Sequence, residues 1–232
     1  GVTVVARNPG SWGNGLKVAI IDDLADQVLT FSSLPANIAV GYGITQNVPA
    51  NTVLAGSGTT SLLTGFFKGI VTEVDSANNK VSVKVLEQVN SAGVSTEVSY
   101  QPNGLYKFGN TAVAIHTTGV GAAYTTGNVP TGNVDWFDSQ TIQLTNSTIN
   151  WNNIADRPGT SSFAEARNSR FDEVHVVVID DLGEVTGNAG TILEKHLSLS
   201  KAKDGEYSLG SPSYWRKYTY NNSSNIFAGG AP

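Results

Sequence analysis

Residues 5–18 read Val-Ala-Arg-Asn-Pro-Gly-Ser-Trp-Gly-Asn-Gly-Leu-Lys-Val, and this stretch constrains the chain more than any other. Proline fixes φ, and the glycine after it admits the positive φ of a type II turn. A second reversal, Gly13-Asn14-Gly15, comes at once, with Trp12 between the two. Val2 to Ala6 and Leu16 to Ile21 read as strands on either side. The pattern predicts a hairpin-like excursion with Trp12 at its tip and its ring anchored in the core. A buried anchor of that kind puts the cost of Trp12→Ala at about 3–5 kcal/mol. No catalytic or metal-binding template needs this pattern.

Strand signals dominate the remainder of the chain. Ile70, Thr72 and Val74 alternate with polar residues, Ser76-Ala77-Asn78-Asn79 supplies a turn, and Val81, Val83 and Val85 alternate again, which predicts a β-hairpin with one buried face. Shorter alternations at Val94–Tyr100, Ala112–His116 and Thr141–Leu144 are separated by Gly- and Asn-rich turns. A helical turn is predicted over Asp23–Gln27, and a helix over Ser162–Asn168 with Ser161 or Ser162 as its cap and Glu165 in the first turn. Val174–Ile179 is an apolar strand interrupted by His175, and Gly187–Gly190 turns it into Ile192–Leu199 as a second long hairpin.

The expected fold is β-rich α+β, built of antiparallel sheets and hairpins with few short helices. Composition shifts near residues 31 and 150 divide it into a subdomain formed by residues 1–30 with 151–232 and an inserted β-rich domain over 31–150. Val18-Ala19-Ile20-Ile21-Asp22-Asp23-Leu24 is echoed by Val176-Val177-Val178-Ile179-Asp180-Asp181-Leu182. Two such strands lying side by side would close the intervening chain into an insertion. Chance is an equal explanation, because apolar runs ending in Asp-Asp turns are common in β-proteins.

Charge and composition narrow the functional classes. Charged residues make up 14% of the chain, and the formal net charge is −5. Nucleic acid is a poor partner for that surface, and low charge suits subunits that pack against copies of themselves. With 0 cysteines there is no disulfide, thiolate metal site or cysteine nucleophile. No segment approaches the roughly 18 apolar residues of a membrane span. The first residue is glycine and methionine is absent, as in a processed chain or an excised piece.

Catalytic and ligand-binding patterns are thin. His116, His175 and His196 lie in separate predicted strands without ligand spacing, although His175 and His196 would face each other across the second hairpin. Asp22-Asp23-Asp26 and Asp180-Asp181-Glu184 are the densest carboxylate groups. Their order departs from a calcium loop and fits strand-end turns, so both readings stand for the sequence alone. Gly56–Ser61 resembles a phosphate loop loosely, without its lysine. Trp12, Trp136, Trp151 and Trp215 serve either as core or interface anchors or as a sugar-binding face. No nucleophile is accompanied by a base, so neither an enzyme nor a cofactor is expected.

The run Ala6–Val18, and within it Pro9, Gly10, Trp12, Gly13 and Asn14, resembles the Pro-Gly-x-x-Gly-Asn signature of contractile tail sheath proteins of T4-like myophages, particularly those infecting cyanobacteria. Asp156–Ser161, with Arg157, Pro158 and Gly159, is similar to the same family, as are Asp172–Asp180, Gly190–Lys195 and Leu199–Asp204. The likeness covers residues 1–30 and 150–232, while the middle matches poorly, as the outward-facing parts of such subunits would.

The resemblance implies a structural virion protein that wraps a tail tube in stacked hexameric rings and contracts to drive the tube through the host envelope during genome delivery. Its partners would be copies of itself, the tube protein, the baseplate and the tail terminator, with no nucleic acid and no membrane. Assembly would occur in the host cytoplasm. The tube-facing C-terminal domain of the family is expected to be missing here, leaving the middle and outer part of the subunit around a sheath core-type subdomain. A bacterial contractile injection system is a near neighbour. The competing class is a carbohydrate-binding β-module of an adhesin or tail fibre.

Overall fold

The computed structural model describes residues 3–35, 37–47, 52–53, 62–63, 65–102, 106–116 and 124–229. It is 44% strand and 12% helix, with antiparallel sheets and two short α-helices. The chain divides into two compact units, residues 1–23 with 140–232, and residues 24–139. The first unit opens with β1 (Thr3–Ala6), a 3-10 helix over Ser11–Gly15, and β2 (Leu16–Asp22).

The second unit runs through β3 (Gln27–Thr30), β4 (Gly43–Asn47), β5 (Thr52–Val53), β6 (Leu62–Leu63), β7 (Phe66–Asp75), β8 (Lys80–Val89), β9 (Ser95–Glu97), β10 (Val113–His116), β11 (Tyr124–Asn128) and β12 (Gly132–Asp135). The main sheet has the order β11-β10-β4-β7-β8-β3-β12, with β9 added to β8 and β5 pairing β6 apart from it. The predicted hairpin is β7–β8. Asp75 accepts the backbone N–H groups of Ala77 and Asn78 in its turn, and Asn79 closes it at φ 55°.

Val81, Val83 and Val85 face the core beside Leu29, Ile44, Phe67 and Phe108, as their alternation predicts, but Ser82 and Lys84 between them are buried as well, so β8 is covered on both faces rather than one. On β7 the buried residues are Phe67, Gly69 and Val71 rather than Ile70 and Thr72. A bulge between Val71 and Glu73 shifts the parity there, and Val74 packs on the core side. The helical turn predicted over Asp23–Gln27 is absent. Asp26 instead donates its N–H to the Val83 carbonyl, and its carboxylate accepts the N–H of Val85 at 2.7 Å. Strand β3 belongs with β8 and β12, which sets the unit boundary at 23/24 where composition alone suggested 30/31.

The first unit resumes with the hairpin β13 (Thr141–Gln143) and β14 (Thr148–Asn150), then α1 (Ser162–Glu165), β15 (Glu173–Asp180), β16 (Thr191–Ser200), β17 (Glu206–Ser208), β18 (Ser211–Pro212), α2 (Trp215–Asn222) and β19 (Ile226–Gly229). The β13–β14 hairpin therefore falls in this unit, so the second boundary is 139/140 and not 150/151. Helix α1 is shorter than predicted. Ser161 Oγ caps it by accepting the Ala164 N–H, and Asn168, at φ 53°, turns the chain away.

β15 is the centre of a three-stranded sheet, β16-β15-β2, and seven of its eight residues are buried. The two echoed runs are neighbours in this sheet. They run antiparallel, Val178 opposite Val18 and Val176 opposite Ile20, so their Asp-Asp endings lie at opposite ends. The hairpin predicted between the first two strands does not form. β1 pairs with β19, Val5 opposite Phe227, as a separate two-stranded ribbon, while β2 spends its ladder on β15.

Candidate functional site

The Pro-Gly-x-x-Gly-Asn loop is a junction rather than a hairpin tip. Gly10 sits at φ 156°, and a β-carbon there would lie 2.4 Å from Trp12 Cδ1, so the indole rests on the Gly10 backbone. A β-carbon on Gly13 would meet the Ala6 side chain at 2.8 Å, which brings the loop onto the end of β1. The buried Gly15 offers its carbonyl to the N–H groups of Asp181 (2.9 Å) and Leu182 (3.2 Å), just beyond β15. The loop thus bonds the start of β2 to the far end of β15 and packs against the end of β1. Trp12 is half-buried, not a core residue, and Pro9 and Asn14 are exposed.

The second motif is sewn to the start of β15. Arg157 donates to Asp23 at 2.9 Å, and the Asp23 side chain is 5% exposed. Pro158 is buried. Gly159 donates its N–H to Glu173 Oε2 and accepts the Glu173 N–H. Asp172 accepts the N–H and hydroxyl of Ser161 and, at 2.5 Å, the hydroxyl of Ser200. Burial pushes the Asp172 carboxyl up, but the bonds from Ser200 and Ser161 outweigh it and hold it below its ordinary value.

Each Asp-Asp pair is consumed by fastening. Asp22 binds Lys201 at 2.8 Å and Asp23 binds Arg157. The fully buried Asp180 accepts three bonds in its own turn, from the N–H groups of Val185 and Thr186 and the Thr186 hydroxyl. Burial raises that carboxyl and these bonds bring it below the ordinary range. Asp181 takes the N–H and hydroxyl of Thr145. Among the described residues no group of three His, Asp or Glu side chains converges to hold a metal. Asp180 fits the expected strand-end turn, whereas Asp22, Asp23, Asp26 and Asp181 bind segments distant in sequence.

The histidines are dispersed. His196 lies opposite Val176, not His175, and binds Glu194 at 2.8 Å. His175 is buried, bonded through Nε2 to the Asp156 carbonyl, and accepts the Ser198 N–H at Nδ1. His116 pairs with Thr45 at 2.8 Å. Trp136 and Trp215 are buried, and Trp151 is half-buried. Trp136 and Trp215 are therefore core positions of their units, and Trp12 and Trp151 are each partly open to solvent. Gly56–Ser61 lies outside the described residues.

No protein-family model, curated protein or solved structure matches this chain. Its own geometry therefore carries the interpretation.

The local sequence pattern does not mark a polar group on which many bonds of the first unit converge. Glu194 on β16 accepts bonds from His196, the Ser223 hydroxyl, the Ser224 N–H, and both the backbone and side-chain amides of Asn225. The signal available was the Ser223-Ser224-Asn225 turn cluster, whose free N–H groups call for an acceptor. In the second unit the amides of Gln27 and Gln46 do comparable work. Gln27 exchanges two bonds with the backbone of Phe108, and Gln46 binds Gly109 and Thr111, pinning Phe108 over Gly69.

Proposed function

We propose that this chain is a structural subunit of a phage contractile tail sheath, polymerising around the tail tube and contributing to the contraction that delivers the genome. The observation that carries this reading is the Pro9–Asn14 motif. It resembles the sheath signature in sequence, and here its loop leads into Gly15, which bonds the start of β2 to the end of β15. Contraction without nucleotide requires bodies that move rigidly while their mutual contacts rearrange between two packings. A cross-tied β-unit supports that requirement: the loop, the Arg157–Asp23 pair and the Asp172 bonds each join segments distant in sequence.

The partners in this reading are further copies in hexameric rings, with the tube, baseplate and terminator beyond them, and the site is the virion tail. No reaction is assigned to it. Electron microscopy of the protein expressed without other tail components tests the proposal. Tubes with six-fold helical symmetry are expected. Monodisperse particles under all salt conditions, together with specific retention on a glycan array, would replace it with the carbohydrate-binding alternative.

A further inference from the structure

The β1–β19 ribbon shares no ladder with the β16-β15-β2 sheet. A groove of about 520 Å³ separates it from β2, lined by Val4, Ala6, Leu16, Val18, Ile20 and Ile226. Along the groove the inward face of the ribbon is incompletely filled, although Val4, Leu16, Val18 and Ile20 touch the core cluster. Ile226 and Ala228 of the same face are buried in the core cluster with Val174, Val176 and Tyr214, so the ribbon cannot fray one residue at a time. A segment with its own ladder, whose single inward face is buried in the core at Ile226 and Ala228 and borders a groove beside β2, is suited to open as a cooperative unit.

The polar attachment of this segment is concentrated. Ser223, Ser224 and Asn225 link α2 to β19, and the five bonds from this linker and His196 all end on the two oxygens of Glu194, at 2.6–3.0 Å. Arg7 then joins β1 to the same segment, donating its N–H to the Asn225 carbonyl and its guanidinium to the Tyr220 carbonyl while lying 4.1 Å over the Phe227 ring. The other end of α2 is fixed to β16, where the Ser200 N–H donates to Ser213 and Ser200 bridges Tyr214. That end is placed to act as a hinge.

We propose that α2, β19 and the β1 strand they carry form a strap that opens as one unit from the three-stranded sheet, and that the Glu194 carboxylate is its latch. The inference stands apart from the sheath reading, because it needs only this unit. The groups around the latch fix the direction of its acid response. His196 faces Glu194 from the same strand, the Tyr218 ring of α2 packs on His196 and Tyr207 packs on Tyr218. Lys195 is turned away to the Ile154 carbonyl, and Arg7 reaches carbonyls rather than the carboxylate. Burial raises Glu194, and the bonds from Ser223, His196, Ser224 and Asn225 outweigh that and keep it ionised below its ordinary range. Protonation removes the charge and turns one of the two accepting oxygens into a donor, which weakens the bonds these donors share, so acid opens the strap.

Residue-resolved amide exchange, corrected for intrinsic rate, tests this. At pH 7, Glu194→Gln should speed exchange roughly tenfold in β1 and β19, as expected for weakened bonds to a charged acceptor, and leave Val176–Val178 at wild-type rates. As the pH is lowered from 7 to about 4, before the unit as a whole loses stability, wild-type protein should show the same selective loss, and E194Q should have lost that acid response. If the ribbon and β15 accelerate together, or the ribbon keeps its protection in the acidified wild type, the strap is overturned. The wild-type acid series decides the matter equally if the variant does not fold.

Discussion

The indole of Trp12 lies directly on the backbone of Gly10, so close that a β-carbon at Gly10 would stand 2.4 Å from Cδ1 and 2.6 Å from Nε1. The two residues are one structural device, a φ open to glycine and a ring that fills the space glycine leaves.

Gly10→Ala should therefore cost about 1–3 kcal/mol through strain and displacement of the ring. Trp12→Ala should cost only about 1–2 kcal/mol, below the 3–5 expected of a core tryptophan, because the ring is half-buried. In the Trp12→Ala background much of the Gly10→Ala penalty should vanish, since the obstructing ring is gone. A denaturation cycle over the four proteins reads this coupling, and strict additivity would disprove the contact.

Arg157→Ala should destabilise the first unit by about 2–4 kcal/mol. It takes the guanidinium from an Asp23 side chain that is 5% exposed, and a buried carboxylate deprived of its cation is costly. Asp23→Asn should cost less, because the amide can stay buried without a charge. Urea midpoints of the two variants give the order.

Stability should hold from neutral pH down to about pH 5 and fall steeply below pH 4. Asp172 and Asp180 lie below their ordinary value of 3.8 when folded. Their contribution is present above the unfolded value and is lost as pH falls through the folded one. Asp172→Asn should flatten part of that slope. A midpoint unchanged between pH 7 and pH 3 would contradict the bonding of these carboxylates.

In the second unit, Gln27→Ala should cost about 2–4 kcal/mol. It removes the two bonds to the Phe108 backbone in a buried setting and leaves that N–H and carbonyl unsatisfied. Gly69→Ala should also destabilise, since its β-carbon would meet the Lys84 carbonyl at 2.6 Å and the Phe108 ring at 2.9 Å. Thermal melts with amide exchange as a unit-specific probe separate these losses from any in the first unit.

Local patterning in the sequence determined much of the architecture. The alternation of Val81, Val83 and Val85, the Ser76–Asn79 turn, the apolar run Val174–Ile179 and the Ser161 cap each depend on neighbours a few residues away, and each appears where its chemistry requires. The motif residues Pro9–Asn14 and Arg157–Gly159 were visible as turn-forming and charged positions, but not their purpose. Tertiary structure alone decided that β1 would pair with β19 more than two hundred residues away, that Ile70 and Thr72 would yield the core face to Phe67 and Val71, and that Glu194 would gather five donors. The physical reason is one of range. Period and turn chemistry are written in adjacent residues, whereas strand partners, bulges and the acceptor for a distant N–H are chosen by competition among surfaces that exist only once the chain has closed on itself.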